Sequence, residues 1–155
     1  MTEARAPRVS EYMHRQLEAV SAEATVVAAA NRMREQGLSA ILVESLDRAA
    51  KECRMVGIMT ETDLVRKVLA QGLDPANTTA SQVMASPLIT ITPDRPMMDV
   101  SHVMETHKIR HVVVSEGAEV VGVLSARDLV RHFVESENGP ARALDTVYRP
   151  LSVLM

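Results

Sequence analysis

Apolar residues between Leu17 and Leu69 fall into a series of patterns that returns, in the same order, between Pro87 and Val134. Each series begins after a short segment, "SEYM" or "SQVM", with a brief apolar run, "LEAV" or "LITI". Val26, Val27, Ala30 and Met33 then recur near 3.6-residue spacing, as do Met97, Val100, Val103 and Met104, so each set predicts a helix with one buried stripe. Pro96 suits the first turn of the second helix, where a missing N–H costs little. The β-branched runs "AILVE" and "HVVVSEG" predict buried strands. A hairpin leads from each to "MVGIM" or "VVGVL". A closing helix carries Leu64, Val65, Val68 and Leu69 in one series and Leu129, Val130, Phe133 and Val134 in the other; Gly72 stands where the first should stop.

The recurrence is an internal repeat. One offset places Tyr12-Met13 on Val83-Met84, Met33 on Met104, Leu38 on Ile109, and Ile41-Leu42-Val43 on Val112-Val113-Val114. "VGIMTETDLV" (Val56 to Val65) and "VGVLSARDLV" (Val121 to Val130) align at a smaller offset, so the difference falls between Val43 and Val56. A longer hairpin loop over about 44–55 accounts for it. The expected class is α+β, with two β-α-β-β-α repeats at about 8–73 and 78–136 and a C-terminal tail at 137–155. Either repeat alone is small for a secure core, so the halves are expected to pack on each other about a pseudo-two-fold axis.

Composition narrows the function. With 46% apolar and 24% charged residues the chain can build a globular core. A net charge of −3 supplies no field to recruit nucleic acid or an anionic membrane, so nucleic acid is not expected as a partner. No apolar stretch approaches the ~20 residues of a membrane span, and "MTEARAPRVS" lacks a signal-peptide core. Cys53 has no possible intrachain partner, which fits a reducing, cytoplasmic setting; a free, idle thiol is the expected reading. Tyr12, Phe133 and Tyr148 are the only aromatics, so base-stacking platforms are missing and the 10 Met must help fill the core.

Thr60-Glu61-Thr62-Asp63 and Ser125-Ala126-Arg127-Asp128 repeat a hydroxyl–x–x–Asp pattern before an apolar helical run. One reading is a capping box, in which the hydroxyl satisfies a backbone N–H and the acid favours the positive helix end. The other is a ligand site. A helix N-terminus attracts anions, and the Asp carboxylate can accept two hydrogen bonds from a ribose diol. Gly57 and Gly122, lacking side chains, permit close approach of a ligand or a neighbouring segment. The two uses are compatible.

"HKIRHVVV" followed by "VVGVLSARDLV", matched by "MVGIMTETDLV" in the first copy, resembles the cystathionine-β-synthase (CBS) domain, and the tandem resembles a Bateman module. The resemblance spans roughly residues 8 to 136. Where the family usually has Pro in the strand after "IRH", this chain has Val113. The resemblance implies adenosine ligands (AMP, ADP, ATP or S-adenosylmethionine) in clefts between the repeats, with the Asp on the ribose and the hydroxyl residue near the phosphates. Carried over, it implicates Thr60, Thr62 and Asp63 in one cleft and Ser125, Arg127 and Asp128 in the other. Val20 and Ile41, and Ile91 and Val112, would enclose the adenine.

The copies differ in charge. His107, Lys108, Arg110 and His111 stand where the first copy has Gln36, Gly37, Ser39 and Ala40. Lys108, Arg110 and His111 are candidates to neutralise phosphates; a solvated helix end is the competing reading, strongest for Lys108. The expected function is a stand-alone sensor, not an enzyme, with no obligatory cofactor and no metal site. It would signal to an effector protein on another chain or to a second copy in a homodimer. The alternative is a structural dimerisation module with empty clefts. No nucleophile–base pair or phosphate loop supports a catalytic reading.

Overall fold

In chain order the elements are α1 (Val9–Tyr12), β1 (Ala19–Ser21), α2 (Val26–Gln36), β2 (Ala40–Asp47), β3 (Glu52–Thr60), α3 (Glu61–Asp63) with a π-helical continuation (Leu64–Leu69), α4 (Ala80–Val83), β4 (Thr90–Ile91), α5 (Met97–His107), β5 (His111–Glu116), β6 (Glu119–Ser125) and α6 (Ala126–Glu135). The computed structural model describes residues 5–135; the expected tail at 137–155 lies outside them. The described residues divide into two units, one made of Leu17–Ile89, the other joining the segment up to Gln16 to the residues from Thr90 onward.

In the unit of Leu17–Ile89, the sheet order is β1-β2-β3. β1 lies parallel to β2 because α2 crosses over between them, whereas β2 and β3 form an antiparallel hairpin. Thr25 starts α2 by accepting the Ala28 N–H at 3.1 Å, and Gly37 ends it in the left-handed region at φ 65°. The core sets Val26, Ala29 and Met33 of α2 against Ile41, Val43 and Met59 of the sheet. α4 closes it with Ala80 and Val83, tied by an Ala80 N–H to the Ala24 carbonyl at 2.8 Å.

The second unit repeats this plan with β4-β5-β6, α5 and α6. Its leading helix is α1, fixed by Val9 N–H to the Arg95 carbonyl (2.8 Å) and by a His14–Val123 backbone bridge. Val9, Met97, Val100, Met104, Val112, Leu124 and Leu129 are buried together, with Phe133 packed alongside. The stretch "SEYM", which begins the first repeat along the chain, therefore packs in the unit of the second sheet.

Both hairpins carry a β-bulge at the same place, between Val43 and Glu44 and between Val114 and Ser115. Beyond it they differ. In place of the longer loop expected over about 44–55, the ladder continues: Glu44 pairs with Met55, Ser45 with Arg54, Leu46 with Cys53 and Asp47 with Glu52. The extra residues lengthen the arms, because a polar two-stranded ribbon can run out into solvent with its backbone still paired. Asp47 Oδ1 holds the turn, accepting the N–H of Ala49 at 3.0 Å and of Ala50 at 3.1 Å. Cys53 is a free, exposed thiol.

Candidate functional site

The repeated glycine serves packing. A Cβ on Gly57 would fall on the Met84 side chain and 3.0 Å from the Ala85 carbonyl oxygen; one on Gly122 would fall 2.8 Å from Met13 Sδ. The neighbour that comes close is thus the "YM" or "VM" segment. Gly57→Ala should lower stability by about 1–3 kcal/mol through overpacking. Denaturant midpoints test this, and an unchanged midpoint would mean that Met84 and Ala85 yield freely.

Past the glycine, each strand ends in the hydroxyl residue and turns into a helix. At Thr60 the full capping box is present: Thr60 Oγ1 accepts the Asp63 N–H (3.2 Å), and Asp63 Oδ2 accepts from Thr60 N–H (3.0 Å) and Thr60 Oγ1 (3.1 Å). In the other unit Asp128 Oδ2 accepts from Ser125 N–H (2.7 Å) and Ser125 Oγ (3.1 Å). Each Asp is thereby pinned by one oxygen, and its other oxygen meets a base. Asp63 Oδ1 lies 3.1 Å from Lys67 Nζ, whereas Asp128 Oδ1 lies 2.8 Å from His14 Nε2 and 3.8 Å from Arg131 Nη2. Lys67 also donates to the Val83 carbonyl at 2.9 Å.

Strand register brings Arg110 and His111 to the same spot. His111 pairs with Ser125, and the Arg110 carbonyl accepts the first helical N–H, from Ala126, at 2.8 Å. In the other unit Ser39 accepts from Glu61 and Ala40 pairs with Thr60, so that helix start has no cation from its strand. Arg110 and Arg127 are exposed beside buried Asp128, and Thr62 is exposed beside Asp63. Lys108 belongs to the end of α5, at φ 55° where α2 has Gly37, and it pairs with Glu105 at 3.0 Å. Val20, Ile41, Ile91 and Val112 sit in β1, β2, β4 and β5 with their side chains in the two cores. A ligand would therefore meet backbone at these positions more than side chain.

Of the residues that complete the carboxylate environments, Lys67 and Arg131 stand at i+4 and i+3 from Asp63 and Asp128, a helical ion-pair spacing that marks them, whereas His14 carries no sequence pattern of its own. The repeat offset sets His14 against Ala85, a difference that acquires a meaning only when the 114-residue separation from Asp128 is closed in space. Among the described residues no group of three or more His, Cys, Asp or Glu could hold a metal ion, and no helix is long and apolar enough to cross a membrane.

A pair of α+β units, each with a strand-Gly-x-x-hydroxyl-x-x-Asp-helix corner, defines the class. The chain belongs to the CBS-domain family, whose model matches residues 9–70 and 80–135. Hypoxic response protein 1 of Mycobacterium tuberculosis is 32% identical over 111 residues, covering 72% of this chain and 74% of that protein. A crystal structure of Hypoxic Response Protein I with two coordinated zinc ions is similar with TM-score 0.67 and 29% identity, over 81% of this chain and 98% of that one. A hexameric CBS-CP12 protein from bloom-forming cyanobacteria is similar with TM-score 0.76 and 28% identity, over 87% and 78%. CBS-pair proteins are generally regulatory, and none of these names is that of an enzyme.

Proposed function

We propose that the protein is a stand-alone, non-catalytic sensor that binds an adenosine-containing ligand of the AMP, ADP, ATP or S-adenosylmethionine class at its two Asp-bearing helix starts. The observation that carries this reading is Asp128, a buried carboxylate at a helix N-terminus, with Arg127 next to it in the chain and Arg110 and His111 brought to the same helix start by strand register. That combination suits a ribose diol next to a phosphate. Signalling passes to another chain, either an effector protein or a second copy. Exposed Val65 and Leu69, one helical turn apart, and exposed Leu73 support a homodimer contact. A cytoplasmic setting is consistent with the single free cysteine.

Adenine nucleotides should raise the melting temperature, and guanine and pyrimidine nucleotides should do so much less. At about 100 Kd of ligand the gain is ~2.7 kcal/mol, several degrees for a chain of this size. No shift with any adenosine compound at millimolar concentration would leave the structural-module reading in its place.

A further inference from the structure

We infer that His14 makes the two Asp sites unequal: its imidazole holds the carboxylate oxygen of Asp128 that a ribose diol needs, so this site takes an adenosine ligand only after His14 swings away. The inference rests on the adenosine reading above. It starts from acceptor capacity. Asp128 Oδ2 already accepts two hydrogen bonds from Ser125, which leaves Oδ1 for a diol. His14 Nε2 is on that atom at 2.8 Å. The Asp128 side chain is 5% exposed and the His14 side chain 59% exposed, so the imidazole sits on the solvent side of the carboxylate, over the approach to it.

The chain contains its own comparison. His14 and Ala85 hold equivalent places: His14 forms a two-bond backbone bridge with Val123 (3.0 and 3.1 Å), and Ala85 forms one with Ile58 (2.8 and 3.1 Å). The backbones match and the side chains do not. Ala85, in the equivalent place, has only a methyl, which can make no hydrogen bond to Asp63. Asp63 Oδ1 is met at 3.1 Å by Lys67 from the next turn of the same helix, a flexible ammonium that also donates to the Val83 carbonyl and keeps that partner when a diol takes the carboxylate. Displacing a hydrogen bond to a buried carboxylate costs more, about tenfold or more in affinity.

The test is calorimetry with adenosine, which carries the diol and no phosphate, on proteins in which Asp63→Ala has removed the other site. In that background His14→Ala should tighten adenosine binding about tenfold. His14→Gln, which keeps a side-chain N–H donor, should stay near the affinity of the His14 protein. 2′-Deoxyadenosine, with an incomplete diol, should gain little from either change. The backbone bridge survives both substitutions, and Ala85 shows that alanine fits the position. If Asp63→Ala does not fold, the same gain should appear in the Asp63-intact protein as a second, tighter class of site. Unchanged or weaker binding in His14→Ala, with adenosine still bound, overturns the role of His14 and leaves the sensor reading intact. No adenosine binding by any of these proteins removes the sensor reading and this inference with it.

Discussion

Met104→Glu should abolish cooperative folding of the unit built on β4-β5-β6, a loss of about 4 kcal/mol or more. Met104 is 5% exposed and lies in the core with Val100, Val112 and Leu129. A carboxylate placed there has no partner among these aliphatic groups. It must either stay charged at a cost of many kcal/mol or bind a proton far from its usual pKa. Either cost takes a large share of the ~5–15 kcal/mol that holds an ordinary domain together. Leu69→Glu is the matched control. Leu69 is 76% exposed, and a surface change of this kind usually stays within about 0.5 kcal/mol. Circular dichroism melts should show Met104→Glu lacking the wild-type transition while Leu69→Glu retains it. If the proposed homodimer forms through the Val65–Leu69 face, light scattering should also show Leu69→Glu falling from twice the chain mass to a single chain. A wild-type melt for Met104→Glu would show that α5 does not bury this residue.

The contrast between Met104 and Leu69 marks how far the sequence alone could reach. Both belong to apolar stripes at helical spacing, and periodicity finds such stripes without saying which side a sheet covers. The strands were clearer, because "AILVE" and "HVVVSEG" are apolar on both faces and only a doubly covered strand tolerates that. The extended arms of the first hairpin were hidden, since Glu44–Asp47 and Glu52–Met55 are mixed in polarity and pair with each other in solvent, with no core face to write a pattern. In the candidate sites, the local part was legible: Thr60 with Asp63 and Ser125 with Asp128 are three residues apart and one helical corner fixes their geometry. Lys67 and Arg131 are as local, one helical turn from their Asp, and only the His14 contact depended on distant chain. His14 reaches Asp128 through the bridge to β6, and nothing in the spacing of "EYMHRQ" encodes that meeting.

His132 extends the same lesson to pH. Its ring is buried against Tyr12, edge-on at 5.2 Å between centroids, and against Phe133 at 4.9 Å. Nδ1 has no hydrogen-bond partner among the described residues. Burial holds the imidazole below its ordinary pKa, with Glu135 opposing more weakly. The neighbouring charges are Glu135, whose carboxylate accepts the Tyr12 hydroxyl at 2.8 Å, and Arg131, whose guanidinium lies 5.4 Å from the Tyr12 ring. A folded-state pKa below the unfolded value means the unfolded chain binds more protons in the interval between them. Stability from this group is therefore full above the unfolded value of about 6.5 and falls as the pH drops below it toward the folded value. His132→Leu removes both the proton site and the unsatisfied nitrogen. At about pH 8 it should be more stable than wild type by ~1 kcal/mol, since a buried unpaired polar atom is lost. At about pH 5.5 its advantage should be larger, because in wild type alone the unfolded chain is then stabilised by taking up a proton that the buried ring resists. Urea midpoints at the two pH values test both statements together. An advantage that shrinks on acidification would mean the charged ring finds a partner in the folded protein, with the Glu135 carboxylate the nearest candidate.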